Sequence, residues 1–89
     1  MLAYIQGAIT FKSPTYIIVE SGGMGYQVNI SLNTYSKIQH QEKVKLFTYL
    51  HVKQEMQTVA GFVLYGFAEQ EEKNLFVELI SVSGVGTAT

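Results

Sequence analysis

Residues 16–31, YIIVESGGMGYQVNIS, carry the strongest structural signal in the sequence. A β-branched run stops at Gly22 and Gly23, and glycine adopts the positive φ angles of a tight turn without steric cost. Residues 26–31 then alternate between apolar and polar side chains, as a half-buried strand does. The stretch therefore predicts a β-hairpin closed by a glycine turn.

A second, longer hairpin is predicted over residues 44–67. Its forward arm, residues 44–52, alternates regularly, and its return arm, residues 58–67, is rich in β-branched and aromatic side chains. The polar stretch 54–57 separates two arms of similar length. We therefore expect this hairpin to rise out of the domain body.

The return arm contains a near-repeat, Gly61-Phe62 and Gly66-Phe67. The two phenylalanines are five residues apart, and an odd offset places them on opposite faces of a regular strand. Either one ring is exposed, or a glycine marks a β-bulge that resets the register. We favour the bulge.

Two further segments differ from the strands. Residues 32–43 are mostly polar, and their spacing allows either a short helical turn or a loop. From Ala68 onward the apolar period becomes helical, and the predicted apolar face comprises Leu75, Phe76, Leu79 and Ile80. We interpret the glutamates at its start as partners of the helix dipole, and Gly84 as its C-terminal cap.

These elements predict a mainly β protein. With AYIQGAITFK, an imperfectly alternating strand at residues 3–12 that ends at a turn containing Pro14, the two hairpins give five strands. Five short antiparallel strands are typical of a small barrel, and we expect a five-stranded OB-fold Greek-key barrel with a long projecting hairpin, followed by one α-helix. An SH3-like barrel is the alternative.

Composition narrows the function. Six lysines, no arginines and seven glutamates give a net charge of −1, which disfavours sequence-specific DNA reading. With no cysteines and two isolated histidines, His40 and His51, we expect no metal site. We find no catalytic constellation, signal peptide or membrane span. The expectation is a cytoplasmic, non-catalytic binding or scaffolding module without a cofactor.

The last segment contains Gly84-Val85-Gly86. Glycines that let backbone N–H groups approach a phosphate at the start of a helix form an anion site without side-chain charge. A helix cap followed by a frayed end would have the same sequence. Both interpretations stay open on the pattern alone.

The whole chain resembles the RuvA family, the Holliday junction-binding subunits of a bacterial branch-migration machine. The resemblance rests on residues 1–31, on LYGF at 64–67, and on EKNLFVELISVSGVGTAT at 72–89. It implies an OB-fold domain over residues 1–67. It also implies that residues 68–89 are a helix and the severed start of the first helix-hairpin-helix of a second domain.

The resemblance also implies partners and site residues. Four subunits of the family form a homotetramer that holds a four-way DNA junction, and a C-terminal domain contacts the RuvB ATPase, with a RuvC-type resolvase in the larger complex. Backbone phosphates would be bound by Gly84, Val85, Gly86 and Thr87. Gln54 and Glu55 match the acidic pin, where the family usually has two acids, and the return arm is several residues longer than usual.

Two other functions are compatible with the residues. The chain could act chiefly as an oligomerisation scaffold. It could also be an unrelated OB-fold module that binds a sugar or a single strand on a stacking face of Tyr26, Tyr35 and Tyr49. Core packing accounts for such aromatics more often.

Overall fold

The computed structural model describes residues 3–55 and 58–83. In chain order the elements are β1 (Tyr4–Lys12), β2 (Tyr16–Ser21), β3 (Met24–Ile30), α1 (Leu32–Ile38), β4 (Lys43–Glu55), β5 (Thr58–Phe67) and α2 (Gln70–Ser83). Residues 32–38 are therefore a short helix, which resolves the choice between a helical turn and a loop. Ser31 caps this helix, because its Oγ accepts a hydrogen bond from the backbone N of Thr34 at 3.1 Å.

The β2–β3 hairpin has the predicted glycine turn. Ser21 pairs with Met24, so only Gly22 and Gly23 form the loop, with φ angles of 61° and 83°. Positive φ at both central positions is the type I′ geometry, whose twist matches that of the flanking strands.

The five strands close into a barrel in the order β1-β2-β3-β5-β4, with β4 returning to β1. The closing contact between β3 and β5 is parallel and short, through Asn29 with Tyr65 and Ile30 with Gly66. A helix between β3 and β4 together with this parallel contact distinguishes the OB-fold from an SH3-like barrel. The predicted fold class is confirmed.

The barrel interior is filled from every strand and from α1. The buried core cluster consists of Ile5, Ile17, Val19, Val28, Ile38, Val44, Leu46 and Leu64. Gly66 lies against this core, and a Cβ at this position would come within 2.5 Å of Val28 Cγ1 and 3.0 Å of Leu46 Cδ1. Because Gly66 has no side chain, Val28 and Leu46 can fill this space.

The bulge prediction was wrong in its consequence. The register does shift beside Gly61, because Lys53 pairs with Gly61 and Gln54 with Val59, which leaves Ala60 as the extra residue; the pairing is regular from Gly61 to Phe67. The shift precedes both phenylalanines, so it does not change their relative orientation. Phe67 is therefore buried at 6% exposure, whereas Phe62 is 67% exposed.

The apolar face of α2 is only partly used. Phe76 and Ile80 are half-buried, as the helical period predicts. Leu75 and Leu79 are 56% and 59% exposed. The apolar stripe is thus wider than the contact that the barrel offers to the helix.

Candidate nucleic-acid interface

The β4–β5 hairpin extends beyond the barrel. The pairing of β4 with β1 reaches Phe47 opposite Tyr4, and β5 meets β3 from Tyr65 onward. In residues 3–55 and 58–83, the outer parts of β4 and β5 pair only with each other. About seven residues separate Tyr65 from Thr58, so the hairpin projects about 23 Å at 3.3 Å per residue.

The two predicted pin residues lie at the outer end of this projection. Gln54 pairs with Val59 and Glu55 with Thr58, and the β-bulge falls immediately before them. Bulges increase the local twist of a hairpin and redirect the residues beyond it. Glu55 is the only acid in the two strand sequences, and it is the last residue of β4.

The predicted phosphate-binding residues, Gly84, Val85, Gly86 and Thr87, lie outside the described residues. The described chain reaches them through α2, which ends at Ser83. Two sets of contacts hold α2 on the barrel.

An aromatic cluster joins α2 to the base of the projecting hairpin. The Phe76 ring contacts the rings of Tyr49, Tyr65 and Phe67, with centroid distances of 5.7, 5.3 and 5.2 Å. These are edge-to-face and tilted arrangements, which the ring quadrupoles favour.

A polar network joins α2 to α1. Glu72 accepts hydrogen bonds from Ser31 Oγ and Thr34 Oγ1, both at 3.0 Å. A more exposed ion pair links Lys37 Nζ to Glu69 Oε1 at 3.1 Å. The sequence alone indicated only a helix-dipole role for these glutamates. Ser31 could have been identified as a helix cap from its position before residues 32–38, but its bond to Glu72 spans 41 residues and has no local signal.

The stacking face proposed for a generic OB-fold module is not favoured by the geometry. Tyr49 uses its ring against Phe76, and Tyr26 packs against the barrel core. Tyr35 is half-buried. Packing thus accounts for Tyr26 and Tyr49.

The described part of the chain contains no group of three or more metal-ligating side chains. In the same residues, no helix is long and apolar enough to cross a membrane. His51 lies beside the Tyr65 ring, with centroids 6.5 Å apart.

Comparison with known proteins gives one consistent result. The family described as RuvA N terminal domain matches residues 1–66. Among curated proteins, the Holliday junction branch migration complex subunit RuvA of Amoebophilus asiaticus is 51% identical over 87 residues, covering 97% of this chain and 42% of that protein.

The proteins with the same name from Christiangramia forsetii and Cytophaga hutchinsonii are 47% and 42% identical over 89 residues. Each match covers 100% of this chain, and 44% and 42% of the respective relative. The chain thus spans less than half the length of these relatives. A match over most of the chain, together with the OB-fold barrel, shows that this chain belongs to the RuvA family.

Proposed function

We propose that this chain is the N-terminal part of a DNA-binding subunit that recognises four-way Holliday junctions without sequence specificity. It promotes branch migration in recombination and repair, with ATP hydrolysis carried out by a RuvB-type partner. Residues 1–67 form the OB-fold domain, and residues 68–89 contain α2 and the start of the first helix-hairpin-helix. A homotetramer and a RuvC-type resolvase complete the proposed assembly.

The observation that carries this proposal is the position of Glu55. It belongs to the last described pair of a hairpin that leaves the barrel, and it is the only acid on that hairpin. Four copies around a junction would place four carboxylates at the crossover. Their charge would repel backbone phosphates and help keep the strands apart as DNA moves through.

In this proposal, the free energy of DNA binding does not come from the projecting hairpin. Gly84, Val85, Gly86 and Thr87 would present backbone N–H groups to phosphates, a contact that carries no sequence information. A net charge of −1 and the absence of arginine agree with such backbone contacts rather than base reading.

The proposal is tested by Glu55→Gln in the protein as its gene encodes it. A carboxylate and a phosphate about 7 Å apart in water repel by about 0.6 kcal/mol, so the branch-migration rate should change about two- to threefold. Junction affinity should stay within about twofold, because the tip does not supply the attractive contacts. Rates are measured with a fluorescent junction and the ATPase partner.

The matched control is Glu20→Gln, which removes an exposed acid from β2, away from the hairpin tip. This variant should migrate junctions at the unchanged rate. Equal rates for Glu55→Gln and the wild type would mean that the tip is only a turn.

A second function, an oligomerisation scaffold, is favoured by an exposed apolar pair. Val52 and Phe62 pair across the projecting hairpin and are 42% and 67% exposed. Apolar side chains in such a position are typical of a protein contact. Sedimentation of residues 1–89 should show a concentration-dependent oligomer that Phe62→Ser weakens. A concentration-independent monomer would contradict the scaffold function for these residues.

A further inference from the structure

Glu72 is the centre of a connected hydrogen-bond network between α1, α2 and the segment before α2. One path runs from the backbone N of Thr34 to Ser31 Oγ and on to Glu72 Oε2. The other runs from the backbone N of Ala68 to Thr34 Oγ1 and on to Glu72 Oε1. Each hydroxyl accepts one bond and donates its hydrogen to the carboxylate.

Partial burial strengthens the hydrogen bonds of this network. Thr34 is fully buried, and Ser31 and Glu72 are half-buried, so water competes poorly for these groups. Hydrogen bonds to an ionised carboxylate are stronger than those between neutral groups. Without the carboxylate, the buried Thr34 hydroxyl would lose the acceptor of its hydrogen.

Two separate contacts therefore define the direction of α2. Glu72 ties its first turn to α1, and Phe76, one turn later, packs against three aromatic rings of β4 and β5. Because these contacts lie on successive turns and involve different elements, a tilt of α2 about one contact would break the other.

The displacement caused by a tilt of α2 increases with distance along the helix. Ser83 lies eleven residues after Glu72, about 16 Å along the axis at about 1.5 Å per residue. A tilt of about 15° at Glu72 would move the end of α2 by about 4 Å. Such a shift would break a hydrogen bond, because its donor and acceptor atoms must stay about 2.7–3.2 Å apart.

We propose that Glu72 is a positioning residue, which locks α2 onto the barrel through Ser31 and Thr34. It thereby holds the end of α2, at Ser83, at a fixed distance from Glu55, the last residue of β4. The functional part of this inference rests on the proposed function, in which residues 84–87 bind phosphates while the hairpin faces the crossover.

The first test needs no DNA. The chain has no cysteines, so spin labels can be placed at Glu20→Cys on β2 and Glu78→Cys on α2, both exposed positions. Pulsed electron paramagnetic resonance on residues 1–89 should give one narrow distance distribution. Glu72→Ala should broaden it at least about twofold without loss of helical circular dichroism.

Glu71→Ala is the matched control, because it removes the neighbouring exposed acid and leaves the network intact. Glu72→Gln should lie close to the wild type, since its amide can accept one of the two bonds and donate in the other. A merely stabilising role would lower the unfolding midpoint without broadening the distances in the folded state. An unchanged width in folded Glu72→Ala would overturn the inference.

If Glu72→Ala does not fold, the decisive pair is Thr34→Val and Thr34→Ser. The valine keeps the shape and removes the hydroxyl, whereas the serine keeps the hydroxyl. Broadening in Thr34→Val alone supports the positioning role, and equal widths overturn it.

The second test measures junction affinity in the protein as its gene encodes it. Glu72→Ala should weaken binding about tenfold, with Glu71→Ala unchanged and Glu72→Gln close to the wild type. Wild-type affinity in folded Glu72→Ala would overturn the functional part of the inference. If the wild type itself does not bind junctions, the proposed function fails, while the spin-label distances still decide whether Glu72 positions α2.

Discussion

Phe62 and Phe67 have the same side chain and lie on the same strand, yet only Phe67 belongs to the packed interior. Its ring is 6% exposed and contacts Phe76, whereas Phe62 is 67% exposed beside Val52. Because the pairing is regular between them, the odd offset alone directs the two rings to opposite faces.

Substitution of these two residues should therefore have very different effects. Phe67→Ala should lower the free energy of unfolding by about 3–4 kcal/mol, because it removes a buried ring and leaves a cavity. Phe62→Ala should change it by less than about 0.5 kcal/mol, as is usual at exposed positions. Urea unfolding of both variants measures the difference. Equal losses would contradict the observed register.

At the scale of elements, α2 depends on a few contacts with the barrel. Phe76 packs against three rings, and Glu72 is bound to α1, but Leu75 remains 56% exposed. The helix is thus held along one narrow edge. Leu75 and Leu79 contribute little to the described packing.

Phe76→Ala should lower the free energy of unfolding by about 2–3 kcal/mol, since aromatic contacts and apolar burial are lost together. Its neighbour provides the control: Leu75→Ala should lower it by less than about 1 kcal/mol. Chemical unfolding followed by near-ultraviolet circular dichroism reports both values. A larger loss in Leu75→Ala would mean that α2 sits on the barrel through its other edge.

At the scale of the whole molecule, charge limits what residues 1–89 can bind. Six lysines are outnumbered by seven glutamates, and no arginine is present. Protein–DNA affinity without base contacts depends mainly on neutralised phosphates. Residues 1–89 therefore lack the excess positive charge on which non-specific affinity for DNA depends.

Residues 1–89 alone should bind a four-way junction with a dissociation constant weaker than about 10⁻⁶ M at physiological salt, in the range of non-specific contacts. The slope of log affinity against log salt should be shallow, because few phosphates are neutralised. Gel-shift titrations at several salt concentrations measure both. Tight and strongly salt-sensitive binding would contradict this prediction.

Several features of the fold were predictable because their causes are local. Gly22 and Gly23 interrupt two alternating strands, which specifies a hairpin, and the change of apolar period after Ala68 specifies a helix. The resemblance assigned Gln54 and Glu55 to a pin, and their place at the end of a projecting hairpin follows from two arms of similar length. Their role and that of Gly84–Thr87 stay predictions.

Other features were not predictable because they depend on residues far apart in the chain. The register shift lies before Phe62 rather than between the two phenylalanines, and only cross-strand pairing decides its position. Glu72 and Thr34 are 38 residues apart, so the sequence around either residue does not predict their hydrogen bond.

By itself, the sequence determined the strands, the glycine turn, the final helix and the family, because periodicity, turn chemistry and residue order are properties of neighbouring residues. Only the tertiary structure decided how the barrel closes between β3 and β5, which phenylalanine is buried, and what holds α2. Those outcomes depend on which distant backbone and side-chain groups meet. Complementary packing and hydrogen bonding determine that only once the chain has folded.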